Sequence, residues 1–131
     1  MLFSFSRIDH VQLTGPKGCE EKARSFYNGI LGLKEIPKPS SVKSSGGCWF
    51  VIGTQEIHIG IEDPFTPPVK AHPAFVIQNI EELRSHLKEQ AIEIKEDRPI
   101  VGRTRFFVRD PFGNRLEFLE YKRRKPPALI F

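Results

Sequence analysis

Gln55-Glu56-Ile57-His58-Ile59-Gly60-Ile61-Glu62 alternates apolar and polar residues almost without interruption. Side chains on a strand point to opposite faces in turn, so Ile57, Ile59 and Ile61 share one face while Glu56, His58, Gly60 and Glu62 share the other. The isoleucines are expected to pack under a helix and the polar face to line a cleft. Working outward, residues 49–52 form the strand that pairs with this one, the two turning at Gly53 and Thr54. Upstream, residues 7–13 alternate in the same way, with Ile8, His10 and Gln12 together opposite Val11 and Leu13. A turn at Gly15, Pro16 and Gly18 leads into a helix. Glu20 and Glu21 lie in its first turn, where acidic charge suits the helix dipole, and Ala23, Phe26, Tyr27, Ile30 and Leu31 recur at helical spacing. Gly32 is placed to stop it before a short strand at 33–36. The Pro-, Ser- and Gly-rich stretch 37–47 reads as a mobile loop, a possible lid.

The second half repeats this order. A strand is expected at 72–77, a helix at 80–90, a strand at 92–96, and a final pair at Arg103–Arg109 and 115–120 around the turn-forming Asp110-Pro111-Phe112-Gly113-Asn114. The Pro-rich residues 63–70 cannot continue a sheet and serve as the linker. One domain spanning 1–131 therefore divides into a first module at about 5–62, the linker, a second module at about 71–121, and a basic tail at 122–131.

Two potential ligands recur at matching places in the halves. His10 and His58 in the first answer to His72 and Glu117 in the second, nearly in phase. A repeated unit that supplies two donors each time can set all four around one metal ion where the halves meet. Leu116 and Phe118 point one way and Arg115, Glu117 and Leu119 the other, so Glu117 opposes the helix-packed face as His58 does. Three imidazoles and a carboxylate suit Zn, Ni, Co, Mn or Fe, with open positions for water or substrate. The fourth histidine, His86, falls in the middle of the second helix and is expected to face solvent. His58 is either a ligand or a residue behind the ligands.

Composition limits the function classes. The 131 residues are 39% hydrophobic and 27% charged and include eleven Phe, which suits one globular domain. The net charge of +4 is matched by Lys122, Arg123, Arg124 and Lys125 alone, so the basicity is a local tail rather than a nucleic-acid surface. No apolar run of about 18 residues is present, and the first residues lack a secretory pattern, so no membrane partner is expected and the compartment is the cytoplasm. Cys19 and Cys48 lack CxxC spacing and read as reduced thiols.

Three motifs carry a resemblance. Ile8-Asp9-His10-Val11-Gln12-Leu13, then Ala23-Arg24-Ser25-Phe26-Tyr27 with Ile30-Leu31-Gly32-Leu33, then Asp110-Pro111-Phe112-Gly113-Asn114-Arg115-Leu116-Glu117-Phe118, together resemble the glyoxalase, bleomycin-resistance and extradiol-dioxygenase superfamily, also called the vicinal oxygen chelate (VOC) superfamily. The resemblance covers about Phe5 to Tyr121. It implies an α+β fold in which two βαβββ modules form a cup-shaped, partly open mixed β-sheet barrel with helices outside and a divalent metal within. His10, His58, His72 and Glu117 match the family's ligand positions. Position 58 is often Glu in glyoxalase I; with His there, only Glu117 remains as a carboxylate ligand able to move a proton.

The expected function is therefore glyoxalase-like: divalent-metal Lewis-acid chemistry, of lyase, isomerase or thiol-transferase type, on a small oxygenated substrate. Glu117 is the first candidate general base. Glu56, about 7 Å along the strand from His58, is the second. Gln12, Trp49, Arg103, Arg105 and Phe107 are candidate substrate-binding residues, the guanidiniums for an anionic substrate and the aromatics as cavity walls. The alternatives are a binding protein of bleomycin-resistance type without chemistry, and an extradiol-type dioxygenase using His10, His72 and Glu117. Related small proteins form homodimers, and the modules of one site come from one chain or from two.

Overall fold

The computed structural model describes residues 2–123. The fold is α+β, in two units that are best taken separately. Unit 1 comprises residues 1–67 together with Pro111–Asn114, and unit 2 comprises Pro68–Asp110 and residues from Arg115 onward.

In unit 1, strands β1 (His10–Gly15), β2 (Lys34–Ile36), β3 (Cys48–Ile52) and β4 (Gln55–Ile61) form a mixed sheet in the order β1-β4-β3-β2. β1 runs parallel to β4, and β3 is antiparallel to both β4 and β2. The alternation in β4 works as expected: Ile57 and Ile59 are buried with Cys48 and Phe50 of β3. A ring such as Phe50, 0% exposed, contributes about 1.5–3 kcal/mol through burial. Helix α1 (Glu20–Ala23) continues without a break into a π-helix, Arg24–Ile30. Its wider turn, closed by the Leu31 N–H on the Phe26 carbonyl (2.9 Å), lets the consecutive Phe26 and Tyr27 both face the core. Arg24 ties this helix to β2 through two hydrogen bonds to Glu35, at 3.0 and 3.1 Å.

The stretch expected to be an open loop is instead built. Ser40–Ser45 form a 3₁₀ helix, and Gly47 donates to the Glu20 carboxylate at 3.0 Å, holding that carboxyl below its ordinary value. Only glycine fits at 47, because a Cβ there would meet the Ile59 carbonyl oxygen at 2.1 Å. The first strand also starts later than expected, at His10 rather than Arg7, because β4 supplies its last parallel partner at Glu56. The Asp-Pro-Phe-Gly-Asn turn closes the unit. Phe112 lies against Gly15, Gly113 takes a left-handed φ of 95° beside Pro67, and the buried Asn114 donates to the Thr14 carbonyl at 2.7 Å.

Unit 2 repeats the topology in reduced form. β5 (Ala74–Val76), β7 (Arg115–Tyr121) and β6 (Arg103–Arg109) form a mixed sheet in the order β5-β7-β6, parallel and then antiparallel. The strand expected at 92–96 shrinks to a single bridge, Lys95 to Phe107, since Lys95 alone in that stretch pairs in register. Helix α2 (Ile80–Glu89) buries Ile80 and Leu87, while the sheet buries Phe75, Phe106, Val108, Leu116 and Phe118. The Glu120 carboxylate caps α2, accepting from the Asn79 and Ile80 N–H groups at 2.9 and 3.0 Å, and is held below its ordinary value by those bonds. His86 is partly covered rather than wholly in solvent. No helix among the described residues is long and apolar enough to cross a membrane. Of the basic run at 122–125, Arg124 and Lys125 lie outside the described residues.

Candidate metal and substrate site

Each unit brings together the pair of donors that its sequence suggests, at matching places in its sheet. On the polar face of the first sheet, His58 is the register partner of Gln12, two residues beyond His10. On the corresponding face of the second, Glu117 is the partner of Ala74, two residues beyond His72. The match extends to the neighbouring antiparallel strand, where Trp49 faces His58 and Phe107 faces Glu117. The repeat is thus a three-strand pattern of early donor, late donor and aromatic.

In unit 1 the three side chains are stacked. The Trp49 and His58 rings are 3.8 Å apart and 3° from parallel, and the His10 ring covers His58 at 4.1 Å and 15°. His58 is buried and its Nε2 is 2.9 Å from Glu56 Oε1. His10 stands at the exposed end, its Nδ1 2.9 Å from Asp9 Oδ2, a bond that holds the Asp9 carboxyl below the usual range. The Gln12 side chain crosses the strand beneath, over Gly60, where a Cβ would fall 2.6 Å from its Nε2.

In unit 2 the pair is polar. His72 Nε2 is 3.0 Å from Glu117 Oε1, and His72 Nδ1 is 2.9 Å from the Lys70 carbonyl oxygen. A carbonyl only accepts, so Nδ1 is the donor to Lys70, and a proton on Nε2 as well would make the contact with Glu117 a charge-assisted hydrogen bond. Two ligands each about 2.1 Å from one ion stand about 3.0 Å apart at octahedral angles and about 3.4 Å apart at tetrahedral ones, so the spacing is close to that of a ligand pair as well as being that of a hydrogen bond. A carbonyl behind the imidazole is the usual device for orienting a ligating histidine. Phe107 packs edge-on to His72, with centroids 5.1 Å apart.

The arginines around this pair have partners of their own. Arg105 lies 3.5 Å from Glu117 Oε2, donates to the Arg98 carbonyl at 2.8 Å and sits over the Phe107 ring, so its charge compensates the buried carboxylate. Its Nε is buried without a hydrogen-bond partner among the described residues, as is that of Arg103, whose guanidinium lies over Tyr121. Arg109 donates to the Pro68 and Val69 carbonyls.

Arg115, absent from the sequence-based candidates, is 3.3 Å from His72 Nδ1, donates to the Lys70 carbonyl at 3.2 Å and covers Phe107 at 3.9 Å. Its position on the Glu117 face was legible from alternation. The Lys70 carbonyl was not, since a backbone group has no sequence signature. Asp97, held below the usual carboxyl range chiefly by the Arg98 N–H, links Arg115 and Arg105. Beside Phe107 and Arg115 opens a cavity of about 630 Å³, also lined by Lys70, Glu93, Lys95 and Arg109, large enough for a small molecule.

Each unit contributes two donors, whereas a catalytic metal site takes about three or four from the protein. Among the described residues no group of three or more His, Cys, Asp or Glu side chains is arranged to hold a metal ion.

Residues 7–118 match the family profile of the Glyoxalase/Bleomycin resistance protein/Dioxygenase superfamily. No curated protein matches the chain. Among solved structures, a glyoxalase family protein from Bacillus anthracis is 51% identical, with a TM-score of 0.90 over 93% of this chain and 100% of that one. A lactoylglutathione lyase from Agrobacterium tumefaciens is 20% identical (TM-score 0.69, covering 88% and 93%). A fosfomycin resistance protein from Listeria monocytogenes is 23% identical (TM-score 0.72, covering 89% and 94%). The last two share the fold.

Proposed function

Because the chain belongs to the glyoxalase, bleomycin resistance and dioxygenase superfamily, we propose that it is a cytoplasmic, homodimeric metalloenzyme acting on a small oxygenated substrate. His10, His58, His72 and Glu117 are its ligand set, for Zn, Ni, Co, Mn or Fe. The observation that carries this reading is the His72–Glu117 pair, an imidazole nitrogen 3.0 Å from a carboxylate oxygen with a carbonyl fixing the ring. The donor pair of the first unit at the equivalent register supports it. A divalent ion in such a site supplies Lewis acidity for neighbouring substrate oxygens.

The residues divide the remaining work. Lys70, through its carbonyl, and Asp9 orient the imidazoles of His72 and His10. Glu117 takes the substrate proton at Oε2, the oxygen that His72 leaves open, with Arg105 offsetting the charge when the proton leaves again. Glu56, hydrogen-bonded to His58 and half-buried, is the second candidate for that role. Trp49 and Phe107 wall the substrate and keep water from the reacting atoms. Gln12 donates to a substrate oxygen. Arg103 and Arg105 favour a substrate carrying negative charge.

Metal analysis of the purified protein, followed by assay of the metal-loaded form against hemithioacetals, catechols, and fosfomycin with a thiol, tests the proposal. The expected result is one divalent ion per ligand set and turnover of one of these substrates. A protein that takes up no divalent ion at micromolar concentration is a binder of bleomycin-resistance type instead.

A further inference from the structure

The cavity beside Phe107 has its origin in the strand that fails to form. Helix α2 ends at Glu89, Ala91 takes a left-handed φ of 59°, and the Ile92 N–H turns back to the Leu87 carbonyl at 3.0 Å. The chain is therefore still closing the helix where the strand was due to begin. It meets β6 only at Lys95, which exchanges two backbone bonds with Phe107, at 2.8 and 2.9 Å. Antiparallel register would next set Glu93 opposite Arg109, and that pair is absent among the described residues. The gap between the two stretches is the cavity, and its whole lining lies in unit 2.

Its charge is positive on balance. Lys70, Lys95, Arg109 and Arg115 line it against Glu93, Glu96 and Asp97. Two of those carboxylates are already engaged, Glu96 by Arg84 at 2.8 Å, and Asp97 by Arg115 at 3.5 Å and by the Arg98 N–H. Neither lysine ammonium forms an ion pair among the described residues. Arg109 and Arg115 direct N–H groups to the carbonyls of Pro68, Val69 and Lys70, which are neutral, so those bonds fix the guanidiniums without cancelling their charge. Arg115 also rests on the Phe107 ring at 3.9 Å. The wall between the cations is apolar, built from Val69, Ile92 and Phe107. None of the four candidate metal ligands lines it.

We propose that this cavity is a site for a small molecule carrying an oxyanion head, a carboxylate or a phosphate, on an apolar body, and that it binds without a metal. The pinned guanidiniums give the head directional N–H donors, and Lys95, exposed at the mouth, adds a mobile charge. Val69, Ile92 and Phe107 take the body, in a volume typical of small-ligand sites. The inference goes beyond the proposed metal chemistry, since it uses none of that ligand set.

Calorimetric titration of the metal-free full chain at low ionic strength with benzoate, phenyl phosphate, inorganic phosphate and benzyl alcohol tests the proposal. Lys95→Glu, Lys95→Arg and Lys70→Glu, all at exposed positions, run beside it, each checked for native circular dichroism. At least one of the two organic anions should bind with a dissociation constant on the order of a millimolar or tighter. Benzyl alcohol and inorganic phosphate should bind about tenfold more weakly or less. Lys95→Glu should weaken the organic anion about tenfold or more, and Lys95→Arg should retain it; if Lys95→Glu loses the fold, Lys70→Glu carries the same expectation. Preference for benzoate assigns a carboxylate head, and preference for phenyl phosphate a phosphate one. Benzyl alcohol binding as tightly as benzoate overturns the proposal in favour of a merely apolar pocket. Inorganic phosphate binding as tightly as phenyl phosphate overturns it in favour of a surface ion site. Anion binding that the charge reversals leave unaltered, or no binding at all, overturns it outright.

Discussion

The two units use one strand pattern to hold donors in opposite ways. In the first, His10 and His58 are stacked rings against Trp49, held by packing. In the second, His72 and Glu117 sit in a charge cluster with Arg105, Arg115 and Asp97, held by hydrogen bonds. The register is common, so the scaffold fixes where a donor stands, and the local side chains decide how firmly and with what charge. The polar pair is therefore the anchor of the proposed ligand set and the stacked pair its adaptable half.

That asymmetry can be broken or sharpened, beginning with the largest effect. Glu117→Gln removes the only charged donor and should lower metal affinity and turnover by more than about a hundredfold, beyond the ten- to hundredfold typical of residues that merely support ligands. His10→Ala should cost less on both counts. Titration with a metal-sensitive dye and steady-state kinetics read the difference, and equal losses would erase the distinction between the halves. Phe50→Ala and Phe106→Ala, matched deletions in the two cores, should each cost about 3–5 kcal/mol in urea unfolding. A much smaller loss for Phe106 would show that the shorter sheet of unit 2 relaxes around the cavity.

Asn114→Ala leaves the Thr14 carbonyl without its partner and should cost about 1–3 kcal/mol. The smallest effect concerns acid. Glu120 has a lowered folded value against an ordinary 4.5, so its stabilisation is fully present above about pH 5 and is lost as the pH falls through the folded value. Stability of Glu120→Gln should accordingly converge on that of the native chain at low pH, as measured by thermal melts from about pH 6 to about pH 3. A constant gap across that range would exclude the cap as its cause.

Much of this was legible in the sequence because alternation is a direct record of a sheet's two faces. β6 falls at Arg103–Arg109 as expected, since Gly102 and the Asp110-Pro111 turn bound it. Alternation put His58 and Glu117 on their strands' polar faces, and the register adds Trp49 beside the one and Phe107 beside the other. The rest depended on interactions that a one-dimensional pattern does not carry. Residues 7–9 alternate like a strand, but β4 begins only at Gln55 and reaches them through the Glu56 N–H on the Asp9 carbonyl and the Gln55 side chain on the Ile8 carbonyl, short of a ladder. The π-helix arises from burying two adjacent aromatics, which the helical template of the sequence treats as an ordinary turn. At 92–96 the alternation is present and the pairing is not, apart from Lys95. Arg103 and Arg105 read as free cations from sequence, yet Arg105 is engaged by Glu117 and the Arg98 carbonyl.

The Asp-Pro-Phe-Gly-Asn turn has a consequence for how such a duplicated protein can be taken apart. It belongs by packing to the first unit and by chain order to the second. A protease nick or gene truncation after Pro67 would therefore strip the amino-terminal fragment of Phe112 and Asn114, uncovering Gly15 and orphaning the Thr14 carbonyl. The first unit cannot be recovered intact by scission, and a designer wanting it alone must graft those four residues back.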